Sequence, residues 1–208
     1  MKILFATGNP SKAKRFSKGL LDHNIEVLTL KDLDLDVEVE ETGKTAIENA
    51  LIKARAYSKL VDMPIMAMDD NLYLEGVPED KQPGTHVRRV DGKRLNDDEM
   101  LEHYISLVKD YGIDGKLNCK WVYGMAVIYN NQEYTYTWDK ENFYMTDKLS
   151  DKINPGYPLN TISINKTLNK YFTDITDEDK LKIKEDESHV VDFIVRSIKN
   201  EKNNIYNM

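Results

Sequence analysis

Met1-Lys2-Ile3-Leu4-Phe5-Ala6-Thr7-Gly8-Asn9-Pro10-Ser11-Lys12 opens the chain, and its reading decides the fold. Ile3 to Ala6 is a short apolar run of the kind a buried parallel strand needs, and Gly8 offers conformational freedom to the turn that follows. Asn9 is placed to cap a helix. Pro10 then falls at the first helical position, where its fixed φ helps and its missing N–H costs nothing. Ala13, Phe16 and Leu20 continue at helical spacing. A strand, a polar turn and a helix N-terminus aim several backbone N–H groups and the positive end of a dipole at one spot, which suits a phosphate. Thr7, Asn9 and Ser11 add neutral donors there, and Lys12 adds a charge that reaches an anion. The same arrangement also opens α/β proteins that bind nothing at this turn, so spacing alone leaves both readings open. Neither G-x-x-x-x-G-K nor G-x-G-x-x-G is present, which excludes a P-loop and a dinucleotide fingerprint.

Around this opening lies a chain of 208 residues, long enough for a sizeable core and read as one domain over residues 1–208. Its net charge of −7, with 31% charged and 40% hydrophobic residues, fits a globular acidic protein. No basic stripe is present for long nucleic acid, although a local nucleotide pocket remains compatible with the charge. The single cysteine, Cys119, excludes an internal disulfide and a multi-thiolate metal site. Charged residues arrive too soon for a signal peptide, and no stretch is long enough to span a bilayer, so a cytoplasmic location without membrane contact is expected.

Further along, Ile25–Leu30 reads as a second strand, and the alternating acidic run from Asp32 to Glu41 reads as a solvated edge. Thr45 with Glu48 forms a capping box for a helix whose apolar face is Ile47, Ala50, Leu51, Ala54 and Tyr57. Thr45, Asn49 and Lys53 recur every four residues on another side, as a solvated stripe or a functional one. Ile65–Met68 is a short strand that runs into Asp69-Asp70-Asn71, read as a turn or as ligand groups at a strand's carboxyl end. From Tyr73 to Asn96 the chain reads as a loop carrying His86, Arg88, Arg89, Lys93 and Arg94, either solvated or placed to screen an anion. Asn96 with Glu99 opens another capped helix. Lys116–Tyr129, an Asn130-Asn131 turn and Gln132–Lys140 form a long hairpin, with a further strand in Asn142–Asp147. Thr176 and Ser188 begin the last two helices, the second with Val190, Val191, Ile194, Val195 and Ile198 as its core face.

Three of these stretches, in order, resemble one family, the non-canonical purine nucleoside triphosphate pyrophosphatases, also called the inosine triphosphatase or Ham1-like family. They are Thr7-Gly8-Asn9-x-x-Lys12; Glu40-Glu41-Thr42-Gly43-x-Thr45-x-x-Glu48-Asn49-Ala50-x-x-Lys53-Ala54; and Asp69-Asp70 after an apolar strand. Pro83-Gly84 with Arg89, Gly156-Tyr157 and Ser188-His189 are weaker echoes. The resemblance implies an elongated mixed β-sheet flanked by helices, two lobes around a central nucleotide-binding cleft, and a homodimer. It also implies Mg²⁺-dependent hydrolysis of a nucleoside triphosphate to monophosphate and pyrophosphate. Under it, Lys12 and Lys53 serve the phosphates catalytically, and Thr7, Gly8, Asn9, Ser11, Asn71 and Arg89 contact the substrate. Glu40, Asp70 and Glu41 hold the metal, with Asp69 a neighbour able to substitute and Asp70 also the general base. At the base end stand Tyr157, His189 and a lysine, Lys180 or Lys184.

The chain departs from that pattern in a group. Pro158 stands where an acidic residue is expected, Val190 where an arginine is, Arg15 where a glutamate is, and Asp69-Asp70-Asn71-Leu72 replaces Asp-Asp-Ser-Gly. The expectation is retained phosphate chemistry with altered base selectivity. A nucleotide-binding regulatory protein without turnover is the alternative.

Overall fold

The computed structural model describes residues 1–183 and 187–199, without the side chains of Pro10 and Ser11. In chain order its elements are β1 (Lys2–Phe5), α1 (Pro10–Asp22), β2 (Glu26–Thr29), α2 (Ala46–Ser58), β3 (Ile65–Leu74), β4 (Arg89–Val90), β5 (Lys93–Arg94), α3 (Asp97–Tyr111), β6 (Lys116–Tyr129), β7 (Gln132–Thr146), β8 (Ser163–Asn165), β9 (Lys170–Tyr171), α4 (Asp177–Ile183) and α5 (Ser188–Lys199). Seven strands form one sheet in the order β2-β1-β3-β6-β7-β8-β9. β1 pairs parallel with β2 and β3, whereas β7, β8 and β9 pair antiparallel, so the sheet is mixed. The chain divides into two compact units. One comprises Met1–Asp69, Tyr123–Thr137 and the segment beginning at Glu187, and the other Asp70–Val122 and Trp138–Asp186.

The first unit is built on the opening strand. Ile3, Leu4 and Phe5 are fully buried, and Ala13, Phe16 and Leu20 of α1 are at most 4% exposed, as their spacing required. α2 lies on the sheet through Ala50, Ala54 and Tyr57, against Leu4, Ala6, Ile65, Ala67, Ala126 and Ile128. It starts with the expected capping box between Thr45 and Glu48. Its first turn sits almost on the backbone of β6: a Cβ added at Gly124 would lie 2.5 Å from the Ile47 nitrogen. That close approach is why a glycine interrupts an otherwise apolar strand. The acidic run before α2 is not merely a solvated edge. Leu33, Leu35 and Val39 alternate with the acids and pack against the α2 core, and Tyr57 Oη donates to the Val37 carbonyl at 3.0 Å.

The second unit has its own core, in which Met100, Tyr104, Leu107 and Val108 of α3 pack on Leu72, Leu74, Leu117, Cys119, Phe143 and Met145. Burial pushes the Cys119 thiol up to about 12, so the lone cysteine is packing material. α3 begins with the expected Asn96–Glu99 capping box.

Three sequence expectations need correction. Asp69-Asp70-Asn71 is not a turn, because β3 runs on to Leu74; Leu72 and Leu74 are buried, and Leu72 exchanges backbone bonds with Gly84 at 2.9 and 3.1 Å. The Asn142–Asp147 strand is the far end of β7 and not a separate element. The segment from Tyr73 to Asn96 is partly ordered: it contains the end of β3 and the β4–β5 ribbon, turned at Asp91 and Gly92 with φ of 49° and 77°. By contrast the β6–β7 hairpin turns at Asn130 and Asn131 as read, with φ of 50° and 60°.

Candidate functional site

The opening turn leaves β1 at its carboxyl end. β1 and β3 are parallel with Leu4 opposite Ile65 and Phe5 opposite Met66, and the Ala6 N–H still bonds the Met66 carbonyl at 2.8 Å, so the turn leaves β1 while β3 runs on to Asp69. Within the turn Thr7 Oγ1 accepts the Asn9 N–H at 3.1 Å, and the Asn9 carbonyl takes the first helical bond, from Ala13. Gly8 does not have a positive φ, and a Cβ there would meet nothing within 4 Å. Neither backbone strain nor packing demands glycine at this position, and the exposed space beside it can admit an anion against the backbone. Lys12 lies on the first turn of α1, partly buried. The Ser11 side chain lies outside the described residues.

Beside this turn the long second motif closes on Asp69. Asn49, 1% exposed, donates from Nδ2 to Asp69 Oδ2 at 3.0 Å and accepts the Gly43 N–H on Oδ1 at 2.7 Å. Lys53 Nζ donates to Asp69 Oδ1 at 3.2 Å and to Glu41 Oε2 at 3.1 Å. Gly43 has to be glycine here, since a Cβ would fall 2.6 Å from Asn49 Oδ1. The stripe Thr45-Asn49-Lys53 is therefore solvated only at its start. From Asn49 onward it turns inward and gives each oxygen of one carboxylate a donor, which satisfies the rule that a buried charge be paired and hydrogen-bonded. The signal in the sequence was the set of small residues Ala46, Ala50 and Ala54, which lets α2 approach the sheet closely enough for Asn49 to reach Asp69.

Asp69 and Asn49, both outside the primary set of expected site residues, are thus the centre of this network. Side chains alternate along a strand, so Asp69 shares the α2 side with Ile65 and Ala67. The network takes up Glu41 and Lys53 from the expected set; Glu40 precedes them on the exposed loop.

One turn beyond Lys12 on α1, the Arg15 guanidinium grips the Glu187 carboxylate with two donors, one of them Nε at 2.6 Å from Oε2. It also stacks 4.6 Å from the centroid of the Tyr123 ring. His189, exposed on the first turn of α5, has Nδ1 3.1 Å from Tyr136 Oη, and Tyr136 stacks on Phe193. Val190 is fully buried in the core face of α5.

In the second unit Asp70 is partly buried, and Asn71 is 2% exposed with Nδ2 donating to Tyr73 Oη at 3.1 Å. Arg89 is exposed on the β4–β5 ribbon. Of its basic neighbours, Arg88 binds Asp97 at 2.6 Å and Lys93 binds Glu99 at 2.5 Å, so these two cations secure the start of α3. Tyr157 is half-buried ahead of a 3₁₀ turn that begins at the buried Pro158. Lys180 is exposed and paired with Asp177, and Lys184 lies outside the described residues.

Fold and site together define an α/β protein with a mixed sheet, in which a strand–turn–helix opening is followed by a carboxylate–lysine network around buried Asp69. The chain belongs to the Ham1 family, whose sequence profile matches residues 3–157. Among curated relatives, a dITP/XTP pyrophosphatase of Leptospira interrogans is 29% identical over 86% of this chain and 88% of its own. Another dITP/XTP pyrophosphatase, from Thermoanaerobacter pseudethanolicus, is 28% identical over 94% of each. The solved structure of the Staphylococcus aureus Ham1 protein superposes with a TM-score of 0.73 at 21% identity, covering 97% of this chain and all of that one. That likeness carries the fold.

Proposed function

We propose that the protein is a nucleoside triphosphate pyrophosphatase acting on non-canonical purine nucleotides of the dITP and XTP type. Water adds to the α-phosphorus, the bond from that phosphorus to the α,β-bridging oxygen breaks, and monophosphate and pyrophosphate leave. The observation that carries this reading is the Asn49–Asp69–Lys53–Glu41 network on the strand that also carries Asp70 and that pairs with β1, from which the Thr7–Lys12 turn leaves. In this reading Thr7, Gly8, Asn9 and Ser11 receive phosphate oxygens, and Lys12 and Lys53 balance their charge. Asp70 takes the proton from the attacking water. Most of the acceleration then comes from positioning and charge neutralisation.

The donor chemistry fits a hard, hydrated cation. Glu40, Glu41 and Asp70 offer only carboxylate oxygens, and among the described residues no group of three or more His, Cys, Asp and Glu forms a preassembled cage. Magnesium accepts one or two carboxylates and keeps several waters, and when bound it would neutralise phosphate charge. Asn71, Arg89, Tyr157 and His189 belong to substrate contact in this proposal, with Lys180 or Lys184, in a homodimeric cytoplasmic enzyme that works as one domain. No helix among the described residues is long and apolar enough to cross a membrane. Buried Pro158 and Val190 support altered base selectivity, since neither supplies the polar group expected there.

Pyrophosphate release measured with Mg²⁺ over a panel of inosine, xanthosine and standard triphosphates tests the proposal. Turnover is expected, reduced about 10²–10⁴-fold in Asp70→Asn. Binding without pyrophosphate release, with Asp70→Asn changing nothing, would identify a nucleotide-binding protein without turnover. A strong preference for inosine triphosphate would remove the altered selectivity.

A further inference from the structure

Arg15 stands where the family resemblance leads one to expect a glutamate, and its environment in the fold gives it a different task. Glu187 is the residue from which α5 starts: its carbonyl accepts the Val190 and Val191 N–H groups at 3.0 and 3.1 Å. Its carboxylate is held by two donors of Arg15, with side-chain exposures of 17% for Arg15 and 13% for Glu187. The guanidinium also lies over the rings of Tyr123 and Phe16, at 4.6 and 5.5 Å from their centroids. One turn along both helices, Gly19 meets Val191 so closely that an added Cβ would lie 2.8 Å from Val191 Cγ2. The pairs 15/187 and 19/191 advance by the same four residues, so they are two successive rungs that fix one register between α1 and α5. From the other side, Tyr136 of β7 holds His189 at 3.1 Å.

We propose that Arg15 is a positioning residue: its pair with Glu187 clamps the start of α5, and with it Ser188 and His189, against the α1 helix whose first turn carries Lys12. The clamp sets affinity for the nucleoside part of the ligand and leaves the phosphate chain untouched. This rests on the nucleotide reading given above. Arg15 follows Lys12 by three residues, so without Glu187 it would add a further cation near the phosphate turn. The two-pronged pair cancels that charge and converts the arginine into a tether.

The test uses Arg15→Lys, Arg15→Met, Glu187→Gln and the reciprocal Arg15→Glu/Glu187→Arg double variant. For each, affinity is measured calorimetrically for a non-hydrolysable inosine triphosphate analogue and for inorganic tripolyphosphate, which has the charge but no nucleoside. Amide hydrogen exchange over Val190–Ile194 is followed without ligand. Arg15→Met and Glu187→Gln are expected to weaken the analogue by about tenfold or more and tripolyphosphate by less than about twofold. They should also speed exchange in the first turn of α5, with Arg15→Lys milder and the reciprocal variant recovering most of both effects. Equal loss for both ligands would make Arg15 a phosphate cation and overturn the proposal. So would unchanged exchange, or a reciprocal variant no better than the single ones. If the wild-type protein binds neither ligand, the nucleotide reading fails. Exchange alone then decides the clamp, upheld by lost protection and overturned by none.

Discussion

Replacing Asn49 by alanine isolates the contact on which the candidate site depends. The side chain is 1% exposed and makes two bonds, to the Asp69 carboxylate at 3.0 Å and from the Gly43 N–H at 2.7 Å. A hydrogen bond to a charged group contributes about 1.5–3 kcal/mol and a neutral one about 1 kcal/mol. Alanine is the better helix former, which returns about 0.6 kcal/mol. The losses win, for a net destabilisation of about 2–3 kcal/mol. For a chain of 208 residues this lowers Tm by roughly 4–12 °C. Urea unfolding of Asn49→Ala should show a lower midpoint at unchanged slope. The Asn49→Ala/Asp69→Ala double variant should lose less than the two single losses added, by about 1 kcal/mol. A Tm within about 2 °C of wild type, or strict additivity, would refute the reasoning.

Gly124→Ala should destabilise by about 1–3 kcal/mol, because its Cβ would strike the first turn of α2. Gly8→Ala, facing open space, should stay within about 0.5 kcal/mol, and thermal melts distinguish the two. At the start of α4, Asp179 Oδ2 accepts from Lys170 Nζ at 2.9 Å and from the Thr176 N–H at 3.1 Å. The Lys170 bond first and the Thr176 bonds next hold its carboxyl down at about 2. A carboxyl lowered on folding stabilises above its unfolded pKa, near 3.8, and that stability is lost as the pH falls toward 2. Melting curves of wild type and Asp179→Asn should therefore differ at neutral pH and converge through this window; a gap that persists below it would count against the assignment.

Local chemistry was legible along the chain. The capping boxes at Thr45 and Asn96, the Asn130-Asn131 turn and the apolar faces of α1 and α5 each depend on residues within a few positions of one another, so spacing alone determines them. The motifs that marked the family were legible too, because a turn, a capped helix and a strand end keep their residues contiguous. Their mutual arrangement was not. Asp69-Asp70-Asn71 has the composition of a turn, and only burial of Leu72 and Leu74 with pairing to Gly84 keeps it in a strand. That extension holds Asp69 in the strand, where it takes the bonds from Asn49 and Lys53.

Arg15 shows the same division most plainly. From the sequence it was a departure at the edge of a phosphate motif; in the fold it grips a carboxylate 172 residues away. Sequence pattern determined the helices and the tight hairpin turn, since those rest on hydrogen bonds and packing within one or two turns, whereas the reach of β3 and the β4–β5 ribbon depended on pairing with other segments. Tertiary structure decided which charges meet, because a buried carboxylate or guanidinium takes whatever partner the packing of distant elements brings within hydrogen-bond reach.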